Sequence, residues 1–490
     1  MIVRFHIGDG FQNLTNYTQT LMLEQNKNEE LLRKFLESHG VKIEYNTELL
    51  EVLQTSSLRI QTRILNTITQ KSDVFEFSYL VAADGNRSQV RKWLGIPYYG
   101  GEYEDNYIIS DLTAACKDHP LLSNEVRLNV VANGFCGIFP LSGEKRFRIV
   151  ASLPEEYQHT PASELNKLPF DEFKPLIEKD ANLEIQSHSW YSVFNLHHRY
   201  AIQFFSSLCF LTGDAAHTHS PVGGLGMNTG LQDATNLGWK LALVLSGIAD
   251  ERLLRSYEEE RLPVAKDLVQ TTDAIFRMIT SHDKSTSFFR LWILPVMLRI
   301  VTSFAMFRRR FFGSLSQLEI NYCKSKISRR PKDPNLRWWH FWRFIFPSVF
   351  VGDQNFPSDK GQPGKRFPFA HVSIQQCDKR TADSPISTWS LFKGPHLHVL
   401  LFNRADVANC LAAKAEIERH WENVNLKNLF QFHILPYDSN KEIYGDLVAG
   451  KGSKTTLYLL RPDGYIAFRT SDFKWEMFKL YLQQNLCFKI

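Results

Sequence analysis

The chain has 490 residues, 43 % of them hydrophobic and 22 % charged, which is the composition of a globular protein of about two to four domains. It excludes a disordered tail, a collagen-like rod and a disulfide-stapled miniprotein. The net charge of +5 is too small for this length to indicate nucleic-acid binding. Seven cysteines without CxxC or zinc spacing predict a reducing, cytoplasmic location and no metal site.

Neither a secretory signal nor a transmembrane segment is expected. Residues 1–25 lack an apolar core followed by a small-residue cleavage site. The most apolar stretch, 288–307, is interrupted by Arg290, Pro295 and Arg299, which are costly inside a bilayer. We predict a buried or surface helix there, with contact to a membrane surface as the lesser alternative.

The first third of the chain predicts an α/β piece followed by a sheet. Apolar residues recur at helical spacing over 19–40, and Gly40 ends the pattern. Shorter elements follow as strand-like runs at 41–45, 58–65 and 74–83 and a short helix at 90–94. Several β-rich stretches within 98–196 predict a mostly antiparallel sheet inserted between two α/β pieces.

The α/β pattern returns with a strand at 208–212 and a long helix at 228–245, and 251–345 is predicted to be mainly helical. Pro, Gly, Asp and Lys dominate 347–366, which predicts a linker. Beyond it, about 125 residues read as a β-α-β-β-β-α unit, which is the size of a domain.

The strongest chemical signal lies in residues 211–242. Asp214 follows a predicted strand, at the edge where α/β sheets place ligands, and its carboxylate suits a sugar or polyol hydroxyl. Three glycines then allow the backbone to approach a ligand closely: Gly223, Gly224 and Gly226. The predicted helix start at Asn228 can hold an anion. A turn that needs glycine only for its geometry would explain the glycines but not the flanking Asp214 and Asn228.

This segment resembles the second flavin-binding motif of the FAD-dependent aromatic hydroxylases, the group A flavoprotein monooxygenases. The resemblance implies that Asp214 contacts the ribityl chain of FAD and that the loop 221–228 wraps the isoalloxazine ring. It also implies that the helix start at Asn228 stabilises negative charge near N1 and O2 of the flavin, while Pro221 faces its reacting edge. Leu225 stands where the family usually has Gln, which we interpret as a tuning change.

Two further segments resemble motifs of the same family. Asp84–Gly85 matches its DG motif, near the FAD pyrophosphate and the path of NAD(P)H, where Arg87 and Arg91 would supply charge to phosphates. A strand–turn–helix joint with solvated arginines is the alternative. By its order in the chain, Gln25 matches a Gln that contacts the pyrophosphate. The residues assigned to FAD are therefore Gln25, Asp84, Gly85, Arg87, Gly213, Asp214, Pro221, Gly223, Gly224, Gly226, Met227 and Asn228.

The C-terminal part resembles the phenol hydroxylase branch, in which a thioredoxin-like domain follows the flavin domain. The matching segments are 314–325 and 364–372. Because this part has no CxxC, we expect packing or homodimer contact rather than thiol chemistry. The expected fold is α/β with an α+β insert, divided into a partial FAD-binding domain at 1–97, a β-rich substrate-binding region at 98–200, a second FAD-binding and helical part at 201–346, a linker at 347–366 and a thioredoxin-like domain at 367–490.

The family begins with a strand, GxGxxG and a helix, and we find no such frame before Gln25. Residues 6–10 contain two glycines but are not flanked by the strand and helix that this motif requires. About 70–90 residues of a nucleotide-binding unit are therefore expected to be missing, through an incomplete gene model, a splice form or a real shortening. Weak binding of FAD by the chain as given is the expected consequence.

The resemblance implies an FAD-dependent monooxygenase that hydroxylates an aromatic, phenol-like substrate with NAD(P)H and O₂. No substrate base is assigned, because Tyr107, Asp111 and His217 each have an equally good structural explanation. Two alternatives stay open. One is a flavin-dependent reductase or dehydrogenase without oxygen transfer, and the other is a non-catalytic remnant that acts as an interaction protein.

Overall fold

The computed structural model describes residues 2–5, 17, 21–55, 59–116, 126–131, 134–220, 224–280, 316–328, 361–374, 386–421, 426, 428–441, 443, 447 and 454–490. The chain divides into two compact units. Unit 1 comprises Met1–Phe11, Tyr17–Leu231 and Leu262–Phe312, and unit 2 comprises Gln12–Asn16, Gln232–Arg261 and Gly313–Ile490. Within the described ranges, no helix is long and apolar enough to cross a bilayer. The apolar stretch at 288–307 and most of the predicted linker lie outside them.

The largest sheet of unit 1 confirms the antiparallel sheet predicted within 98–196. Its strands, in sheet order, are β1 (Ile2–Phe5), β7 (Val126–Val131), β8 (Gly134–Pro140), β9 (Arg146–Ser152), β6 (Tyr98–Cys116), β10 (Leu183–Ala201) and β13 (His217–Thr218). All neighbours in this sheet are antiparallel. The helices Ala162–Leu165 and Lys174–Ala181 cover a core that includes Phe173 and Ile177. The sheet is therefore anchored by a well-packed apolar face.

A smaller sheet carries the two motif-bearing strands of unit 1. Its order is β11 (Phe205–Ser206), β12 (Cys209–Leu211) and β5 (Leu80–Ala82), and β12 runs parallel to β5. The backbone N–H of Thr212 donates to the carbonyl of Ala82 at 3.0 Å. The helix Gln89–Trp93 follows β5, and the helix Gly226–Leu245 follows β12 and β13.

The N-terminal elements differ from the prediction. The helix runs over Gln25–Ser38 rather than 19–40, and 41–45 is not a strand. A three-stranded antiparallel sheet follows, formed by β2 (Thr47–Thr55), β3 (Ile60–Asn66) and β4 (Lys71–Phe77). Its first strand was not predicted, because register shifts at Leu49/Glu51 and Val52/Gln54 break the alternation of apolar and polar residues by which strands are recognised.

The first helix forms as its apolar spacing predicts, but its apolar face is not buried. The helix Gln25–Ser38 has no buried residue, and Leu31 and Phe35 are 59 % and 63 % exposed. All seven residues of the strand Lys71–Phe77 are exposed as well. Amphipathic spacing identifies the face that a helix can bury, whereas tertiary structure decides whether anything covers it.

Unit 2 contains a four-stranded sheet and the helices that pack on it. The strands, in sheet order, are Phe430–Pro436, Leu397–Asn403, Thr456–Leu460 and Ile466–Thr470, and only the first pair is parallel. Among the described residues after Gly361, its helices are Thr388–Leu391, Val407–Trp421 and Trp475–Gln484, and His371–Val372 pairs with Ile386–Ser387 in a two-stranded sheet. The order of strands and helices agrees with the sequence, while the thioredoxin-like assignment stays a prediction.

A buried charge cluster joins distant segments within unit 2. The carboxylate of Glu260 accepts hydrogen bonds from Lys240 at 2.9 Å, from Arg461 at 2.6 and 2.9 Å and from Asn236 at 2.8 Å. Arg461 also contacts Asp463. The side chains of Lys240, Glu260 and Arg461 are fully buried, so the charges depend on one another for their stability. The residues Gln232–Arg261, which the sequence assigned to the flavin domain, therefore share a core with the C-terminal sheet.

Candidate functional site

Two predicted motifs meet at one edge of the small sheet in unit 1. Because β5 and β12 are parallel neighbours, the segments that leave their carboxyl ends, Asp84–Gly85 and Gly213–Asp214, start side by side. Gly85 has φ +77° and Gly213 has φ +57°, a left-handed conformation that favours glycine. The sequence thus provides two tight turns at the position where α/β sheets bind ligands.

Arg91 and Tyr98 support the turn that carries Asp214. The Arg91 guanidinium is buried and donates to the carbonyls of Ala215 and Asn86, both at 2.8 Å. It lies 3.8 Å from the centre of the Tyr98 ring, whose hydroxyl donates to the carbonyl of Asp214 at 3.1 Å. Burial lowers the pKa of Arg91. Arg91 therefore braces one motif against the other instead of pointing into solvent toward a phosphate.

The carboxylate of Asp214 is exposed and lines a pocket of about 330 Å³. Ligand pockets typically measure roughly 300–1,000 Å³, so this one is at the small end of that range. The remaining residues of its lining come from β10, β13 and the glycine-rich segment: Leu196, Thr218, His219, Ser220, Gly224, Leu225, Gly226 and Met227. An acidic acceptor thus shares a cavity with the glycine-rich backbone and with apolar side chains.

The helix after the glycines begins at Gly226, two residues before the predicted start. Gly224 has φ +62°, which favours glycine in the turn that leads into it. A Cβ on Gly230 would lie 3.4 Å from the Cα of Gly213, so the first turns of this helix pack closely against the Asp214 turn. Met227 and Asn228 are exposed at the helix start. Pro221 and Gly223 lie outside the described residues.

The structure places the remaining predicted residues around this edge but gives some of them other partners. The carboxylate of Asp84 accepts from the backbone N–H groups of Gln89 and Val90 at 2.8 and 3.3 Å, at the start of the helix Gln89–Trp93, whose N-cap is Ser88. Arg87 is exposed beside it. Gln25 is exposed too, and its amide donates to Glu29 at 2.9 Å.

Asn28, one turn after Gln25, reaches the pocket lining. Its amide nitrogen lies 3.6 Å from the sulfur of Met227. The start of this helix is fixed by the buried carboxylate of Glu24, which contacts Lys27, Ser142 and Arg146. The hydrogen bond from Lys27, together with those from Ser142 and Arg146, lowers the pKa of Glu24 to about 2. The sequence offered no signal for Glu24, because its partners are more than one hundred residues away or look like ordinary surface charges.

An aromatic cluster lies behind the pocket. Leu196 belongs both to the pocket lining and to a buried cluster with Tyr107, Phe135 and Phe276. The phenol of Tyr107 is buried and donates to Asp105 at 3.2 Å. Two other candidate bases are also buried: Asp111 pairs with Arg148 at 2.7 Å and accepts from Trp190 at 3.0 Å, and His217 stacks on Phe204. These contacts favour structural roles for all three.

The comparisons with known proteins agree with this geometry. The profile of the FAD binding domain family matches residues 5–272, more than half of the chain. The chain belongs to this family. The predicted FAD-binding, aromatic hydroxylase-like fold and FAD as the cofactor are thereby confirmed.

Individual relatives are aromatic hydroxylases. Pentachlorophenol 4-monooxygenase of Sphingobium chlorophenolicum is 33 % identical over 282 residues, which cover 55 % of this chain and 49 % of that protein. The aromatic hydroxylase CabE from angucycline biosynthesis has a similar fold, with a TM-score of 0.69 and 22 % sequence identity. The match covers 98 % of this chain and 85 % of the CabE chain. For aklavinone-11 hydroxylase with FAD and aklavinone, the TM-score is 0.67, the identity is 22 %, and the coverages are 98 % and 81 %. The chain spans about half the length of the curated relatives that it matches.

The residues of the site fit part of an FAD molecule. The exposed carboxylate of Asp214 suits the hydroxyls of a ribityl chain, and the glycine-rich helix start suits the polar edge of an isoalloxazine ring. Leu196, Leu225 and Met227 add apolar surface to the same pocket. The described residues therefore provide for the flavin end of the cofactor.

Proposed function

We propose that this chain carries the flavin-holding and substrate-facing part of an FAD-dependent monooxygenase, which hydroxylates an aromatic, phenol-like compound with NAD(P)H and O₂. The observation that carries the proposal is the meeting of Asp84–Gly85 and Gly213–Asp214 at one sheet edge, beside a pocket that Asp214 lines. Each motif resembles a flavin motif by its own sequence, and their proximity in the structure supports their assignment to one ligand.

Binding of the flavin would rest on three features of the pocket. The Asp214 carboxylate accepts hydrogen bonds from the ribityl hydroxyls, which are among the stronger kind because the acceptor is charged. The backbone N–H groups at the helix start near Gly226 stabilise negative charge on the ring. The absence of side chains at Gly224 and Gly226 allows the ring to approach the backbone.

The substrate side would be formed by the antiparallel sheet. Leu196 connects the pocket to the aromatic cluster of Tyr107, Phe135 and Phe276, whose rings can support a flat aromatic ligand next to the flavin. The cluster also keeps water from the reacting atoms. Bound FAD would supply electron transfer from NAD(P)H and activation of O₂, and the chain's own residues would orient the partners. The names of the relatives, which include a pentachlorophenol monooxygenase, favour a phenolic ring as substrate.

The test separates binding from chemistry. The purified chain is mixed with FAD, and the visible flavin spectrum, the oxidation of NADH and NADPH, and the products from a panel of phenols are measured. At FAD concentrations high enough to offset the weak binding that the sequence predicts, we expect a bound-flavin spectrum and a product that gains one oxygen atom. Oxidation of NAD(P)H that yields only hydrogen peroxide across the panel would favour a reductase. Absence of flavin binding even at high FAD concentration would favour the non-catalytic alternative.

Three further assignments remain predictions. The C-terminal unit is expected to be thioredoxin-like and to contribute homodimer contacts, which size-exclusion chromatography with light scattering would detect. A cytoplasmic location follows only from the low cysteine content. Riboflavin compared with FAD will show whether the adenosine half of the cofactor finds a binding site on this chain.

A further inference from the structure

Two histidines of the C-terminal sheet lie buried against each other. His398 is on the strand Leu397–Asn403, and His433 is on its parallel neighbour Phe430–Pro436. Their residues are only 0 % and 3 % exposed. Nδ1 of His398 lies 3.0 Å from Nε2 of His433, and the two rings are stacked with centroids 5.2 Å apart. The proposed function uses neither ring, so the pair needs another explanation.

The two rings face the apolar core on one side of this sheet. Alternate residues of a strand share a face, so Leu400 and Leu435, two positions further along each strand, identify the side to which the histidines point. Both leucines belong to a buried hydrophobic cluster. The ring of Phe392 lies 5.2 Å from that of His398 and 5.9 Å from that of His433. The pair is therefore surrounded by groups that cannot solvate a charge.

The ionisable groups around the pair do not favour a cation either. Among the described residues, His396 is the one that acts on the charge of His398, with ring centroids 6.4 Å apart, and His398 acts on His433. A proton on one ring therefore disfavours a proton on the next, because like charges repel. Of the other elements packed here, the helix Thr388–Leu391 has no ionisable residue, and Tyr458 stays neutral because burial raises its pKa.

The contact between the two histidines accommodates one hydrogen. A neutral imidazole carries a single N–H, so one of the two nitrogens at 3.0 Å donates and the other accepts. The other nitrogen of His398, Nε2, is buried and has no hydrogen-bond partner among the described residues. A cationic His398 would therefore bury an N–H without an acceptor, and two cations would point two hydrogens at each other. The folded sheet accommodates the neutral pair.

This geometry gives the sheet a dependence on acid. We propose that the pair of His398 and His433 is an acid-sensitive switch, in which opening of the C-terminal sheet releases both rings to water and lets them take up protons. Mildly acidic surroundings then shift the balance toward the open sheet. The inference does not depend on the proposed function, and its outcome has no bearing on flavin binding.

The pH range follows from the two forms of the sheet. Burial, together with the neighbouring histidine, lowers the pKa of His398 to about 4 and that of His433 to about 3, from an ordinary value of 6.5. In the open sheet, both rings regain the ordinary value and take up protons at a higher pH than in the folded sheet. The stabilisation from the neutral pair is therefore complete above pH 6.5 and is lost as the pH falls toward 4.

Hydrogen exchange of the complete chain at pH 7 and pH 5 tests this switch. Peptides that cover the strands Leu397–Asn403 and Phe430–Pro436 are followed by mass spectrometry, and their rates are corrected for the pH dependence of exchange in unstructured peptides. We expect the protection of these strands to fall from pH 7 to pH 5 by about 20-fold for each histidine that takes up a proton on opening, and by up to about 500-fold for the pair.

A double variant separates the pair from all other titrating groups. His398→Asn with His433→Gln retains a hydrogen bond without titration, because the Asn amide replaces Nδ1 and the Gln amide replaces Nε2. Its protection should change less than about twofold between the two pH values. The control His371→Gln removes an exposed histidine of the same unit and should show the full loss of the wild type. If the amide pair does not fold, His398→Phe with His433→Phe takes its place.

Two results with the wild type would overturn the inference without any variant. One is a loss of protection below about fivefold between pH 7 and pH 5. The other is a ring of the pair that titrates near pH 6.5 in the folded chain, as measured by nuclear magnetic resonance of labelled histidine. An equal loss in the wild type and in a folded double variant would also overturn it, because another group would then be responsible.

Discussion

Replacement of Arg91 by Lys tests whether one buried guanidinium holds the two motifs together. The substitution keeps the positive charge but provides a single ammonium group, which can reach only one of the two carbonyls at 2.8 Å. Loss of one hydrogen bond from a charged donor costs about 1.5–3 kcal/mol. The weaker stack on Tyr98 adds about 0.5–1 kcal/mol, since the present distance is 3.8 Å. The turn at 213–218 should therefore be destabilised by about 2–4 kcal/mol.

Hydrogen exchange measures this local effect directly. The N–H of Thr212 bonds to Ala82 and that of Ala216 to Gly213, so both report on opening of the turn. At about 1.4 kcal/mol per factor of ten, their exchange should accelerate roughly 30- to 700-fold in Arg91→Lys. Peptides that cover residues 209–218 in mass spectrometry would contain both amides.

Arg87→Lys is the matched control, because it makes the same change on an exposed arginine four positions earlier, in the turn before the helix that carries Arg91. It should alter the free energy of local opening by less than about 0.5 kcal/mol. Unchanged exchange in 209–218 for Arg91→Lys, or equal acceleration in the two variants, would refute the role assigned to the Arg91 guanidinium.

The other predictions concern one binding residue and two buried carboxylates. Asp214→Ala should weaken riboflavin binding about 10- to 100-fold in fluorescence titration. The unfolding midpoint should stay the same, since the Asp214 carboxylate is exposed. The control Glu251→Ala, which removes another exposed carboxylate, should change neither the riboflavin affinity nor the midpoint. Glu260→Gln should lower the free energy of unfolding, measured with urea, by about 3–5 kcal/mol, because it leaves the buried Lys240 and Arg461 without their carboxylate. Glu259→Gln is the control, since the surface ion pair of Glu259 with Lys326 is worth less than about 1 kcal/mol. A similar loss of stability in both variants would contradict the prediction. The pKa of Glu24 is about 2, below its ordinary value of 4.5, so its stabilisation is complete above pH 4.5 and is lost as the pH falls toward 2. Glu24→Gln should flatten the dependence of the melting temperature on pH between pH 4.5 and 2. An unchanged slope in this range would argue against a contribution of Glu24 to stability.

The sequence was sufficient to predict a site because the motifs that carry the prediction are local. Asp84–Gly85 and Gly213–Asp214 each follow a short apolar strand, and glycine is required where the backbone is left-handed. Parallel pairing of the two strands then brings the motifs together without any information beyond the strand order. The predicted helix start was two residues too late, because the helix begins with a glycine, Gly226, and glycine is a poor helix former.

The supporting residues could not be found in this way. Arg91 binds a backbone carbonyl 124 positions away, and a carbonyl leaves no trace in the sequence. Tyr98 likewise acts on the carbonyl of Asp214, 116 positions away. Strand Thr47–Thr55 was missed because its bulges disturb the period of two. In each case the information lies in long-range contacts rather than in local pattern.

The contact between Glu260 and Arg461 has a practical consequence for anyone who divides this protein into fragments. The two residues are 201 positions apart, and each neutralises the other in a place that water does not reach. A truncated product that starts after the sequence-derived linker would retain Arg461 and Asp463 but lose Glu260 and Lys240, so the buried cluster would be incomplete and we expect the fragment to be less stable and to aggregate. Expression of the C-terminal sheet will require the helical segment Gln232–Arg261 as well, supplied on the same polypeptide or added as a peptide.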